Sequence, residues 1–169
     1  MGGNKMQRHG SKNRPKARPV LREMPLDQLE RVLANHRAWL ESDGRSGERA
    51  NLSHAQLQGL SLWSADLREA DLSYASLQGA DLDHARLRGA NLRHAKMAGA
   101  SLWRANLRDA DLSYAGLQRA KLDHADLSGA KLHNADLTGA SLWGAQLSGA
   151  LLEDAIGTTD EQLKNAHRA

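Results

Sequence analysis

The chain has 169 residues, enough for one domain, with a formal net charge of +3, no cysteine, no phenylalanine and only 4% aromatic residues. That excludes a disulfide framework and a thiolate metal site, and it calls for a uniform aliphatic core. No apolar run approaches a membrane span and no apolar h-region opens the chain, so neither a spanning helix nor a secretory signal is expected.

The charge is uneven along the chain. Residues 1–22 hold seven Lys/Arg and no acid, whereas residues 23–49 hold four bases and six acids. Residues 50–156 hold ten bases and twelve acids, so the basic character belongs to the N-terminal arm. The arm is rich in Lys, Arg, Gly and Pro and poor in hydrophobes, so residues 1–22 are expected to be disordered. Its start, MGGNKM, has Met6 where a myristoylation signal wants Ser or Thr.

Residues 23–49 read as a helix and linker. The spacing predicts a helix over 27–42, with Asp27 and Glu30 as a capping box and Gly44 at the C-terminal cap. Leu29, Val32, Leu33, His36 and Leu40 share one face, with Trp39 at its edge, and such a face needs a surface to cover.

From 50 to 156 the sequence has a period of five. Its central positions are Leu52, Leu57, Leu62, Leu67, Leu72, Leu77, Leu82, Leu87, Leu92, Met97, Leu102, Leu107, Leu112, Leu117, Leu122, Leu127, Leu132, Leu137, Leu142, Leu147 and Leu152. Alanine stands two residues before each, with Leu60 the one exception. A helix would scatter these leucines around its circumference, and a continuous strand would send alternate ones to opposite faces. An inward leucine every five residues needs a corner in each unit. Asn or Asp precedes the central residue at 51, 66, 71, 81, 91, 106, 111, 126 and 136, where the side chain can stabilise a turn. Such a unit buries its leucine only by stacking on neighbours, which makes the fold an all-β solenoid.

The pattern A(D/N)LXX, in units such as ANLSH, ADLRE and ADLSY, resembles the pentapeptide-repeat family, and the approach LERVLANHRAWLESDGRSGERANLS resembles leaders of bacterial members. The resemblance implies a right-handed, four-sided β-helix with twenty residues per coil and about five coils. After Asp154 the pattern fails, with Gly157 in the leucine place. Thr159 and Gln162 then have capping-box spacing, which resembles the short helix, here within 157–169, that closes the last coil in this family.

With twenty residues per coil, residues twenty apart stack on the outside. One column reads Trp63, Asp83, Trp103, Asp123, Trp143, beside Ser64, His84, Arg104, His124, Gly144. Tryptophan and arginine are over-represented in binding hot spots, so Trp63, Trp103, Trp143 and Arg104 are the candidate partner-binding residues. The plainer reading is that each indole shields the neighbouring coil. A second column, His54, Tyr74, His94, Tyr114, Asn134, can stack its rings as a surface ladder. Equivalent histidines lie two coils apart, too far to share a metal, and no metal or cofactor is expected. Arg68, Arg88 and Arg108 form another column, which Asp66, Glu69 and Asp109 can offset. Gln58, Gln78 and Gln118 form a partial amide ladder.

There is no phosphate loop, no HExxH and no nucleophile elbow, and a filled flat-sided rod lacks a ligand cleft. The expectation is a non-enzymatic, cytoplasmic scaffold, monomer or dimer, that presents its faces to an unidentified protein. The resemblance implies an alternative: some family members mimic B-form DNA and bind DNA gyrase or topoisomerase IV. Those members are typically acidic rods, whereas this repeat region carries a net charge of only −2. A third reading anchors residues 1–22 to nucleic acid or an anionic membrane.

Overall fold

Residues 22–160 and Leu163 are described in the computed structural model of the chain. The readings of residues 1–21 as a disordered arm and of Gln162 as a capping partner lie outside the described residues.

The repeats wind into a coil with a strict twenty-residue register. Asn51 pairs with Asp71, Gln56 with Ser76, Ser61 with Asp81 and Asp66 with Arg86, and the same parallel pairing recurs up to Asp136 with Ile156. Three backbone hydrogen bonds join each pair of stacked units except the last, which has two. In the first, the Leu52 N–H donates to Asp71 C=O (2.7 Å), the Asp71 N–H to Ala50 C=O (2.9 Å) and the His54 N–H to Ser73 C=O (2.9 Å). Each side is extended over so few residues that it forms isolated bridges rather than long strands.

The corners explain the period. The Ala55 N–H returns to Leu52 C=O at 3.1 Å while His54 sits at φ 59°, the hydrogen bond and dihedral of a type II turn. Every residue two places after a central position has φ between 54° and 69°, eight of them glycines and thirteen not. At all nine Asn/Asp positions the side-chain oxygen accepts the N–H two residues on, at 3.0–3.4 Å. The turn turns the chain by one side, and the residue at its start points inward. The central residues from Leu52 to Leu147 are all at most 5% exposed, and only Leu152 in the last unit is half-buried. Alanines fill the space between the leucines, with Leu60 in one of their places also packed against the core.

At the N-terminal end, β1 (Arg22–Glu23) pairs in parallel with β2 (Ala55–Gln56). Arg22, the last residue of the basic arm, thus lies in β1. The position twenty before Ala55 falls inside a helix, so the edge of the first coil takes its pairing from a segment further upstream. That helix, α1 (Leu26–Glu41), lies over the open end and buries Leu29 and His36. It begins and ends one residue earlier than its sequence pattern suggests. Pro25 is the N-cap residue and no side chain caps the helix; Asp27 instead pairs with Arg31 at 2.5 Å. At the other end Asp43 takes the left-handed conformation (φ 51°) and the Gly44 N–H reaches Trp39 C=O at 2.8 Å, one place beyond the expected cap.

At the C-terminal end the last bridge of the ladder among the described residues joins Asp136 to Ile156. Gly157 (φ 78°) lies against the previous coil so closely that a Cβ there would stand 2.3 Å from the Thr138 nitrogen. The Leu163 N–H bonds to Thr159 C=O at 3.0 Å, one helical turn, and Leu163 packs against the core.

Candidate interaction face

The turn geometry decides which side chains reach solvent. The residue after each central position and the left-handed one after that stand at a corner, so corner columns run parallel to the rod axis. Trp63, Trp103 and Trp143 occupy one such column and are 62%, 36% and 60% exposed. They sit on every second coil, about 9.6 Å apart at the usual inter-strand spacing.

The indoles are held, not loose. His84 lies edge-on to Trp63 (6.1 Å) and to Trp103 (4.9 Å), and His124 lies edge-on to Trp143 (4.5 Å). The Arg104 guanidinium covers the Trp103 ring with its carbon 4.4 Å from the centroid, which accounts for the lower exposure of Trp103. Gly144 leaves room for His124, because a Cβ at 144 would stand 2.7 Å from its Nδ1. Between the tryptophans, Asp83 Oδ1 accepts the Ser101 hydroxyl (2.6 Å) and the Trp103 backbone N–H (2.9 Å), and Asp123 Oδ1 accepts the Ser141 hydroxyl. The structure thus brings Trp63, Trp103, Trp143 and Arg104 onto one edge, each indole also shielding its neighbouring coil.

The other columns are internally matched. His54, Tyr74, His94 and Tyr114 form one continuous stack, with centroids 4.9, 4.6 and 4.9 Å apart and planes within 13°. Arg93 closes it, 5.7 Å from the Tyr114 centroid and 3.3 Å from Asp111. Arg68 grips Asp66 through two 2.8 Å bonds, Arg86 adds to the same carboxylate, Arg88 meets Asp109 and Arg108 meets Asp126. Burial alone would push the Asp66 carboxyl up, but the Arg68 hydrogen bond and charge outweigh it and hold the group below the usual carboxylate range. The glutamines form no ladder: Gln118 donates to Asp136 at 2.5 Å, and Gln78 Oε1 is buried without a hydrogen-bond partner.

Sequence reasoning missed one feature. Where α1 meets the first coil there is a groove of about 530 Å³, lined by Leu33, Arg37 and Leu40 on the helix and by Trp63, Asp66, Arg68 and Arg86 on the coil. The rod alone has flat sides, and the groove arises only at its junction with α1. The signal was in the sequence only as a helix with an unpartnered face.

A filled coil with a strict twenty-residue register and an aromatic edge defines a four-sided solenoid. The pattern of pentapeptide repeats matches residues 50–89, 85–122 and 115–154 in 8 copies, and the chain belongs to that family. Its members are right-handed β-helices. Among solved structures, the chain is similar to a pentapeptide repeat protein of the Arabidopsis thaliana thylakoid lumen (32% identity over 67% of this chain and 81% of that one, TM-score 0.54). It is also similar to HetL, involved in heterocyst differentiation regulation in the cyanobacterium Nostoc sp. strain PCC 7120 (37% identity, 71% and 58% covered, TM-score 0.41). Rfr23 of the cyanobacterium Cyanothece 51142 is 27% identical over 81% of this chain and 99% of its own (TM-score 0.48). No curated protein matches. Among the described residues, no helix is long and apolar enough to cross a membrane.

Proposed function

We propose that the chain is a non-enzymatic interaction module of the cytoplasm. Its rod of about five coils is closed by α1 at one end and by a helix within 157–169 at the other. It recognises a protein partner along the edge formed by Trp63, Trp103, Trp143 and Arg104. The observation that carries this reading is the placement of three exposed indoles in fixed register on a hydrogen-bonded ladder. Large aromatic groups held rigid in solvent lose little conformational entropy on binding.

The DNA-mimic reading has less support. Arg68, Arg88 and Arg108 run along one side and each is paired with an acid, so that side is balanced rather than continuously negative. Anchoring through the basic residues 1–22 is compatible with the rod's role and separable from it. The test is a crosslinking pull-down with the full chain, a 23–169 truncation and a Trp63/Trp103/Trp143→Ala variant. A protein kept by the truncation and lost by the tryptophan variant supports the edge as the recognition surface. Gyrase subunits kept by the tryptophan variant overturn it, and nucleic acid or lipid lost with the truncation assigns the binding to the arm.

A further inference from the structure

The tryptophan edge has a period, and a period selects a conformation in whatever lies along it. Successive indoles stand two coils apart, about 9.6 Å, and Trp63 to Trp143 spans four coils, about 19 Å. A polyproline II segment advances about 3.1 Å per residue with three residues per turn, so equivalent side chains recur every 9.3 Å or so. Six of its residues span about 18.6 Å, within half an ångström or so of the span from Trp63 to Trp143. An α-helix offers seven residues at about 10.5 Å, which drifts by roughly 2 Å over the same span. A β-strand repeats one face every two residues, about 6.8 Å, and misses the spacing altogether.

The groups between the indoles add charge to this register. Asp83 and Asp123 lie on the intervening coils, midway between tryptophans. The Ser101 and Ser141 hydroxyls hold one oxygen of each, and neither Oδ2 has a hydrogen bond among the described residues. Proline rings dock on aromatic surfaces, and polyproline II is already extended, so little order is lost on binding. We infer that the edge binds a basic proline-rich segment of a partner protein, in the polyproline II conformation. Prolines three residues apart pack on Trp63, Trp103 and Trp143, and basic residues between them face Asp83 and Asp123. Trp63 and Trp143 are the main anchors, because Arg104 covers the ring of Trp103. The chain's own arm is basic but its Pro15 and Pro19 are four apart, about 12.4 Å in this conformation, and out of step with the edge.

This inference rests on the tryptophan edge being the recognition face, and one titration separates the two. The probe is a synthetic peptide with three prolines at three-residue spacing and arginines between them. A second peptide has the same composition but prolines four apart. Both are titrated into the full chain and into the 23–169 form, followed by tryptophan fluorescence and calorimetry. The in-register peptide is expected to bind about tenfold or more tighter than the four-spaced one. Trp63→Ala and Trp143→Ala each weaken it about tenfold, and Asp83→Asn with Asp123→Asn reduces both affinity and salt dependence. An unchanged far-ultraviolet spectrum and melting point show that these surface variants fold. Equal binding of both peptides, binding unaffected by the tryptophan variants, or no binding overturns the proposal. If the peptides fail while a protein is still captured through the edge, the interaction module stands and the polyproline inference falls. If capture fails too, both fall.

Discussion

His36 Nδ1 accepts the backbone N–H of Ala50 at 3.1 Å. In every later unit the N–H of the corresponding residue, alanine in all but one, returns to the central residue of the unit before it, as Ala55 does to Leu52. Ala50 has no unit before it, so an imidazole from α1 takes the place of the missing turn. The ring is fully buried and stacked on Trp39 at 5.8 Å.

Acid should therefore release the N-terminal cap first. Burial lowers the His36 pKa from 6.5, and the Arg68 charge lowers it further, against the opposing pull of Asp66, the Arg68 backbone and Glu69. Below about 6.5 the unfolded chain takes up a proton that the folded state resists, so stability falls as pH drops from there towards the depressed folded value. Amide exchange at Ala50 and along α1 should accelerate over that window before the middle coils change. His36→Gln should remove the pH dependence. His36→Ala should cost about 1–3 kcal/mol at neutral pH by stranding the Ala50 N–H, measured by urea unfolding. Exchange that is independent of pH between 7 and 5, after correction for intrinsic rates, would count against this role for His36.

A second acid step should appear lower. Asp66, Asp111 and Asp136 are all held below 3.8. Arg68 does this for Asp66, against burial; Ser113 and Arg93 do it for Asp111, also against burial; and the Thr138 hydroxyl and N–H do it for Asp136. Their contribution is complete above 3.8 and is lost as pH falls through the depressed values. A titration of the coil's circular dichroism should show this step, separate from the loosening of α1.

Two glycines at positive φ should respond differently to alanine. At Gly79 a Cβ meets nothing within 4 Å, so Gly79→Ala carries only the left-handed backbone cost, about 1 kcal/mol. At Gly157 the Cβ would press on the Thr138 backbone, which cannot move without breaking the last coil. Gly157→Ala should therefore cost more, about 2–3 kcal/mol, and loosen the C-terminal end first. Thermal melts of the two variants, with exchange at residues 137–156, distinguish the two effects.

The core should tolerate shape changes unequally. Met97 is fully buried in a leucine position, so Met97→Leu should change stability by less than about 1.5 kcal/mol. Leu107→Ala in the middle of the rod should cost about 2–5 kcal/mol, since neighbouring coils are held too rigidly to close the void. Leu152→Ala, half-buried in the last unit, should cost clearly less. Denaturant midpoints of the three variants give the ranking.

The repeat region was legible because its information is local and reiterated. Each five-residue unit carries its own inward leucine, its spacer alanine and, at nine places, its own turn-forming Asn or Asp, so the side length follows from the sequence alone, while four sides per coil follow from the resemblance to the pentapeptide-repeat family. Together they place His54, Tyr74, His94 and Tyr114 in one column and Trp63, Trp103 and Trp143 in another. The ends depend on contacts between segments far apart in the chain. Arg22–Glu23 pairs with Ala55–Gln56, His36 substitutes for a turn at Ala50, and Gly157 meets Thr138. Side-chain pairing was decided in three dimensions too: Gln118 turns to Asp136 rather than to its column, and Arg104 lies over Trp103. A periodic sequence specifies the interior of a solenoid, since every unit meets the same neighbours. Its first and last units meet different ones, and only tertiary packing settles how their open edges are covered.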